Sequence, residues 1–217
     1  MSLVLPIIDE PRKASLISPA MTLYNSTTQS YDFYSFTACP SLKSYETSKK
    51  FQTHRDIQSY TTIIPYTRNI DHTSYQTTEE TKTLDAISLS NLIMSQINQL
   101  SPDICVIEGY SFASHSASYV DLVSYQSILR SKIKENNYPL IVVSPSQGKK
   151  ALSGKGNADK MEMIKSFITN RPNIPYIEEN EFFQFLKNYK INEKNPKPID
   201  DIVDSVGILL GSLKLIQ

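Results

Sequence analysis

The chain has 217 residues, of which 40% are hydrophobic, and equal numbers of basic and acidic side chains give it a formal net charge of zero. That length fits one domain with insertions or a small appendage, and the apolar content suffices for a buried core. The neutral total excludes binding of nucleic acid through overall charge, so such a surface must come from local clustering. The two cysteines, Cys39 and Cys105, lie far apart, which argues against a disulfide framework or a zinc site.

Targeting signals are absent from the sequence pattern. No apolar run approaches the length of about 18 residues that predicts a membrane span. The N-terminus lacks the charged segment and apolar core of a signal peptide. We therefore expect a cytosolic or virus-encoded intracellular protein.

The first half of the chain predicts an arm followed by antiparallel strands. Residues 1–13 hold two prolines among charged groups and are expected to form an N-terminal arm. Alternating segments between turn residues then predict strands at residues 14–18, 21–25 and 31–37. Residues 38–82 are polar and predict an insertion with one further strand at residues 60–66.

The second half predicts alternating helices and strands. Helical periodicity predicts helices at residues 84–100, 118–135, 159–169, 178–188 and 200–215. Short apolar runs predict buried strands at residues 103–107 and 140–143, and a polar glycine-containing loop is expected at residues 144–157. An antiparallel start followed by alternating units predicts an α/β fold with a mixed sheet.

Carboxylates lie at two places in the sequence where a catalytic or metal-binding site could form. Glu108 ends a buried strand, where sites of α/β sheets form, and a metal ion would compensate its burial. A solvated strand-end carboxylate is the alternative. Asp200, Asp201 and Asp204 open the last helix, and the latter two share a face. Capping and the helix dipole also favour acids there.

Basic side chains concentrate just before this acidic region. Residues 147–160 place lysines among glycines, which suits close approach to a phosphate backbone, although a solvated loop is the alternative. Residues 148–165 hold five lysines against two acids, whereas residues 178–204 hold four lysines against seven acids. His54, His72 and His115 share no ligand spacing, so we expect surface residues.

Three segments together resemble the RuvC-like Holliday-junction resolvases, especially their phage-encoded members. They are VIEGYSFASHSASYVDLVSYQSILR (106–130), VVSPSQGKKALSGKGNADKMEMI (142–164) and DDIVDSVGILLG (200–211). The resemblance implies a ribonuclease-H-like fold, a mixed five-stranded sheet with helices on both faces. The nuclease domain would span residues 14–217.

The resemblance also implies a site with divalent metals. Glu108, Asp201 and Asp204 match metal-binding catalytic carboxylates, and Lys160 matches a lysine near the scissile phosphate. Mg²⁺ or Mn²⁺ would be the cofactor. Branched DNA, as a four-way junction, and a second copy in a homodimer would be the partners, in the cytoplasm of a host cell or in a virion. The DNA-binding side chains implied are Lys149, Lys150, Lys155, Lys160, Tyr110 and Phe112.

One departure from the family pattern concerns the first strand. The resemblance calls for an aspartate there, yet Leu16 or Ser18 holds the place, depending on the register. That aspartate would bridge both metals, and its loss weakens two-metal hydrolysis. Asp9 or Glu10 could substitute.

Three readings of the function follow. The chain is a structure-selective endonuclease, a catalytically inactive relative kept for DNA binding or structure, or an exonuclease or RNA-degrading nuclease on the same fold.

Overall fold

The computed structural model describes residues 2–5, 19–110, 117–170, 172–192 and 196–216. The strands are β1 (Ser2–Leu5), β2 (Ala20–Asn25), β3 (Ser30–Cys39), β4 (Thr62–Thr67), β5 (Ile104–Glu108) and β6 (Leu140–Val143). The helices are α1 (Leu42–Thr47), α2 (Gln52–Ile57), α3 (Tyr75–Leu100), α4 (Ala117–Glu135), α5 (Pro145–Ser153), α6 (Lys160–Ile168), α7 (Glu181–Asn188) and α8 (Ile199–Ile216). Short 3-10 turns lie at Lys49–Phe51 and Ile177–Glu179.

The strands form one mixed sheet in the order β4-β3-β2-β1-β5-β6. Every neighbouring pair is parallel except the two that involve β2, which runs against both β1 and β3. The predicted mixed α/β class is confirmed. The sheet has six strands rather than five, because β4 adds an edge strand beside β3.

The prediction of an N-terminal arm is wrong for residues 2–5, which form β1 between β2 and β5 in the centre of the sheet. Residues 2–5 form a short strand there instead of an extended arm, because a central parallel position suits an uncharged, largely apolar tetrapeptide. Leu5 pairs with Ile107, the residue directly before Glu108. The strand predicted at residues 14–18 lies outside the described residues.

Helices cover both faces of the sheet. One core contains side chains of α6, α7 and α8 together with Phe33, Val106 and Val143 from the strands. The opposite core joins α3 and α4 to Phe36, Cys105 and Ile107. Consecutive residues of β5 therefore point to opposite faces, which places the side chain of Glu108 on the α8 face with that of Val106. No helix in the described part of the chain is both long and apolar enough to cross a membrane.

The loop expected at residues 144–157 is wrong over most of its length, because Pro145–Ser153 forms α5. Ser144 caps this helix in a reciprocal pair with Gln147, and the first helical position holds Pro145. Gly148 lies inside the helix because α8 crosses it closely. A β-carbon at Gly148 would lie 2.6 Å from the Ile208 Cδ1 atom, and one at Gly207 would lie 3.1 Å from the carbonyl oxygen of Gly148.

The polar segment at residues 38–82 is a folded crossover rather than an irregular insertion. Helices α1 and α2 link β3 to the parallel β4, and α3 begins at Tyr75. His54 of α2 is buried against the rings of Tyr45 and Phe51, so the prediction of a surface residue is wrong. Burial lowers the pKa of His54 to about 4, and the charges of Lys197 and Lys50 act in the same direction. His72 is exposed as expected, and His115 lies outside the described residues.

We expect Gly148→Val to lower the free energy of unfolding by about 1–3 kcal/mol, because its side chain has no space against α8. Lys150→Val is the matched control on an exposed position of the same helix and should change stability by no more than about 0.5 kcal/mol. Urea unfolding monitored by circular dichroism measures both values. Equal stabilities of the two variants would contradict the close helix crossing.

Candidate active site

Glu108 is the last residue of β5, and its side chain is only 5% exposed. Burial raises its pKa well above the ordinary value for a glutamate, the charge of Asp204 raises it further, and Lys149 opposes both effects. Its backbone carbonyl accepts a hydrogen bond of 2.7 Å from the Nη2 atom of Arg130 on α4. The end of β5 is therefore fixed from α4 while its carboxylate lies on the α8 face.

The first turns of α8 carry three buried aspartates, Asp200, Asp201 and Asp204. Their burial follows from the position of α8, which packs on the sheet and bonds it through Ser205 Oγ and Thr22 Oγ1 at 2.5 Å. Burial and the charge of Asp200 raise the pKa of Asp204 to about 7. The same two causes raise the pKa of Asp201 to about 8. These shifts show that the aspartates lie in one another's electrostatic field, so capping is an incomplete explanation of their presence.

Lysines neutralise part of this acidic cluster. The Nζ atom of Lys160 lies 2.8 Å from Asp200 Oδ2, and that of Lys197 lies 3.1 and 3.0 Å from the two carboxylate oxygens of Asp201. Lys149 of α5 lowers the pKa of both Glu108 and Asp204. Opposite charges on three separate segments thus converge on the buried acids.

The other two predicted lysines of this region, Lys150 and Lys155, are exposed. Lys150 is exposed on α5. Lys155 donates to Glu162 Oε1 at 2.6 Å in an exposed pair. The expected basic border of the acidic cleft is therefore divided, since Lys149 and Lys160 act on the acids whereas Lys150 and Lys155 face solvent.

The donor chemistry of the cluster suits a hard divalent cation, because such ions prefer carboxylate oxygens. The Oδ1 atom of Asp200 is buried and has no hydrogen-bond partner, which leaves one oxygen available to a ligand. Among the residues that the structure describes, however, no three His, Cys, Asp or Glu side chains are grouped so that they could hold a metal ion. The carboxylates therefore suit a metal ion in their chemistry, while Lys160 and Lys197 form ion pairs with Asp200 and Asp201.

Of the two aromatic candidates, Tyr110 lies immediately after the strand end. Its ring stacks under the Arg130 guanidinium, with the Cζ atom 4.1 Å from the ring centroid. Its hydroxyl and that of Ser127 are 2.9 Å apart. Both contacts tie Tyr110 to α4, and the ring remains half-buried. Phe112 lies outside the described residues.

The four N-terminal positions weighed for the missing aspartate, Asp9, Glu10, Leu16 and Ser18, also lie outside the described residues. The paired strand before them ends at Leu5, beside Ile107.

Sequence reasoning missed two basic residues of the site, Lys197 and Arg130. Lys197 precedes Asp201 by four residues, a spacing that indicates an ion pair on a helix but not a buried one. Arg130 belongs to a segment quoted for the resemblance, yet its hydrogen bond to Glu108 joins residues 22 apart in sequence. Neither pattern distinguishes a site residue from a solvated surface charge.

Comparison with known proteins finds relatives in the same family that the sequence motifs resemble. No family model matches the chain. The crossover junction endodeoxyribonuclease RuvC of Thermotoga petrophila is 29% identical over 113 residues, which cover 49% of this chain and 68% of that protein. RuvC of Thermotoga maritima is 28% identical over 113 residues, with 49% and 67% covered. The resemblance to RuvC-like resolvases is confirmed.

Two solved structures are also similar to this chain. The Thermus thermophilus RuvC structure has a TM-score of 0.44 and 10% identity, with 98% of this chain and 96% of that chain covered. The yeast mitochondrial Holliday junction resolvase Ydc2 has a TM-score of 0.48 and 16% identity, with 96% and 76% covered.

We expect Asp204→Asn to stabilise the metal-free protein at pH 8 by about 1–3 kcal/mol and to have little effect at pH 4. The folded-state pKa of about 7 exceeds the unfolded value of about 3.9, so the unfolded chain loses its proton first as pH rises. The wild type therefore loses stability between these values, whereas asparagine does not ionise. Urea unfolding with a chelator across this pH range measures the effect.

Asp32→Asn, on an exposed position of β3, is the control and should show no such pH-dependent gain. If Asp204→Asn is destabilising at pH 8, burial does not disfavour the ionised form of Asp204 as described above.

Proposed function

We propose that this RuvC-like chain is a metal-dependent, structure-selective endodeoxyribonuclease that acts on branched DNA such as a four-way junction. The observation that carries the proposal is the burial of Glu108 together with the three aspartates of α8. An ionised carboxylate is costly to bury, and in the described part of the chain lysines contact only two of these four, Asp200 and Asp201, so the group is a poor stabilising core. Carboxylates kept at such a cost, on a chain similar to crossover junction endodeoxyribonucleases, support a catalytic role.

The carboxylates that would hold Mg²⁺ or Mn²⁺ are Glu108, Asp201 and Asp204, with the free oxygen of Asp200 as a further donor. When bound, the cation would activate a water molecule and stabilise the leaving oxygen of a phosphodiester. The chain itself supplies orientation, since Arg130 fixes the backbone of Glu108 and α8 fixes the aspartates. Lys160, beside Asp200, would contact the phosphate near the scissile bond.

Phosphate binding is assigned to the basic side chains around this cluster. Lys149 and Lys150 project from α5, and Lys150 is exposed. The pair of Lys155 with Glu162 is exposed too, so DNA would have to compete with Glu162 for that lysine. Tyr110 is the aromatic side chain available beside Glu108. A homodimer, as the resemblance implies, would present two such sites to a symmetric junction.

The second candidate is an inactive relative that binds DNA or serves as a structural component, as in a virion. Two observations favour it. The sequence offers Leu16 or Ser18 where the resemblance calls for an aspartate. In the described part of the chain, no three potential ligands are grouped for a metal ion. Such a protein would retain junction binding and lack cleavage.

We expect the wild type to cleave a four-way junction with Mg²⁺ or Mn²⁺, and Glu108→Gln to lower the cleavage rate by about 100-fold or more. Junction binding by this variant should stay within a few-fold, because the lysines are unchanged. Flap and linear duplex DNA are the substrate controls, and Glu135→Gln at the end of α4 is the protein control.

Absence of cleavage on every substrate, with junction binding intact, would favour the inactive relative. In that case aspartate is introduced separately by Leu16→Asp and Ser18→Asp, and recovery of cleavage in one variant identifies the lost ligand. Equal cleavage of linear DNA would contradict structure selectivity.

We expect Lys149→Ala with Lys150→Ala to weaken junction binding and to reduce the slope of log affinity against log salt by about 1–2. Lys155→Ala should have a smaller effect, because Glu162 already pairs with Lys155. Lys132→Ala with Lys134→Ala removes the same charge from the last turn of α4 and is the matched control. An unchanged salt slope in the α5 variant would show that these lysines are solvated surface charges.

A further inference from the structure

Lys197 forms a bidentate ion pair with one of the buried aspartates of α8. Its Nζ atom contacts both oxygens of Asp201, at 3.1 and 3.0 Å. Asp201 is fully buried, so its carboxylate has no access to solvent as an alternative partner. Lys160, by contrast, contacts one oxygen of Asp200 and leaves the other without a partner.

The charge of Lys197 also acts on the neighbouring acids. Asp200 and Asp204 are buried in the same first turns of α8 as Asp201, and Lys197 interacts electrostatically with both of them. One ammonium group therefore provides positive charge to all three aspartates of α8, the charge that a divalent cation would otherwise supply.

The backbone around Lys197 is held in place, whereas its side chain is partly free to leave. Pro196 and Pro198 flank it and are both buried, and each carbonyl accepts a bond from the start of α8. The side chain is 32% exposed, so a rotamer change can carry the ammonium from Asp201 into solvent. Displacement then requires no unfolding of the helix terminus.

We propose that the Lys197 ammonium is a built-in counter-ion of the acidic cluster, and that a divalent cation binds the α8 aspartates only in competition with it. This inference rests on the proposed metal-dependent function, and it assigns to Lys197 the control of cation occupancy. While no metal is bound, this ammonium group offsets part of the negative charge of the aspartates and thereby stabilises the fold.

The test compares the full chain with Lys197→Met, which keeps an apolar stem of similar length and removes the charge. Calorimetric titration with Mn²⁺ and Mg²⁺, without DNA, should show affinity at least about ten-fold higher for the variant, since a competing positive charge a few ångströms away is lost. Its unfolding midpoint should fall in chelator and recover with Mg²⁺, whereas the wild type should respond weakly. Lys190→Met, on an exposed lysine, should match the wild type.

Lys197→Arg and Lys197→Gln are the second pair of variants. Arginine keeps the charge and should retain the weak affinity of the wild type, whereas glutamine should bind the cation tightly, as methionine does. If Lys197→Met or Lys197→Gln binds Mn²⁺ no more tightly than the wild type does, the proposed counter-ion role of Lys197 is overturned. If Lys197→Met folds only with Mg²⁺ present, that dependence itself supports the counter-ion.

The two proposals fail separately. Tight cation binding by Lys197→Met without cleavage by any variant would contradict the proposed nuclease function and support the counter-ion role of Lys197. Cleavage by the wild type, with cation affinity unchanged by Lys197→Met, would support the nuclease function and contradict the counter-ion role.

Discussion

Burial of like charges is the constraint on which this structure depends. Glu108 and the three aspartates of α8 lie between a sheet and the helices that cover it, where an ionised carboxylate is poorly solvated. The pKa of Asp204 is raised to about 7 and that of Asp201 to about 8, so the fold opposes full ionisation of the cluster. A protein selected for stability alone would place apolar side chains here. This costly burial is the observation on which the proposal of a cation-dependent activity rests.

The positive charges that offset this burial come from three parts of the chain. Lys149 belongs to α5, Lys160 begins α6, and Lys197 precedes α8. Each has a different relation to the acids, because Lys160 and Lys197 form direct ion pairs whereas Lys149 acts through its field. Lys149 and Lys160 therefore belong both to the electrostatics of the acids and to the phosphate-binding surface that we propose.

Much of the secondary structure could be predicted from periodicity, and much of the site could not. Alternation predicted β2 and β3 nearly to their ends, short apolar runs predicted β5 and β6, and helical spacing predicted α4 and α8. The pattern failed for α5, since Gly148 reads as a loop signal unless the crossing of α8 is known. It failed for β1, where four residues are too few for any period to show. In the site, the resemblance identified Glu108 and the aspartates, whereas the pair of Lys160 and Asp200 joins residues 40 apart and depends on tertiary packing.

The close crossing of α5 and α8 fixes the relative positions of charged residues on the two helices. Gly148 lies against Gly207 and Gly211, so the two helices meet with almost no side chain between them. Lys149 is the next residue on one helix, and Asp204 lies one turn before the contact on the other. The distance between the backbone positions of these two residues is therefore fixed by main-chain contacts between the helices. A small residue lost at this crossing would shift a whole charged helix relative to the acids, so a change with no charge of its own would be measured as a change of pKa.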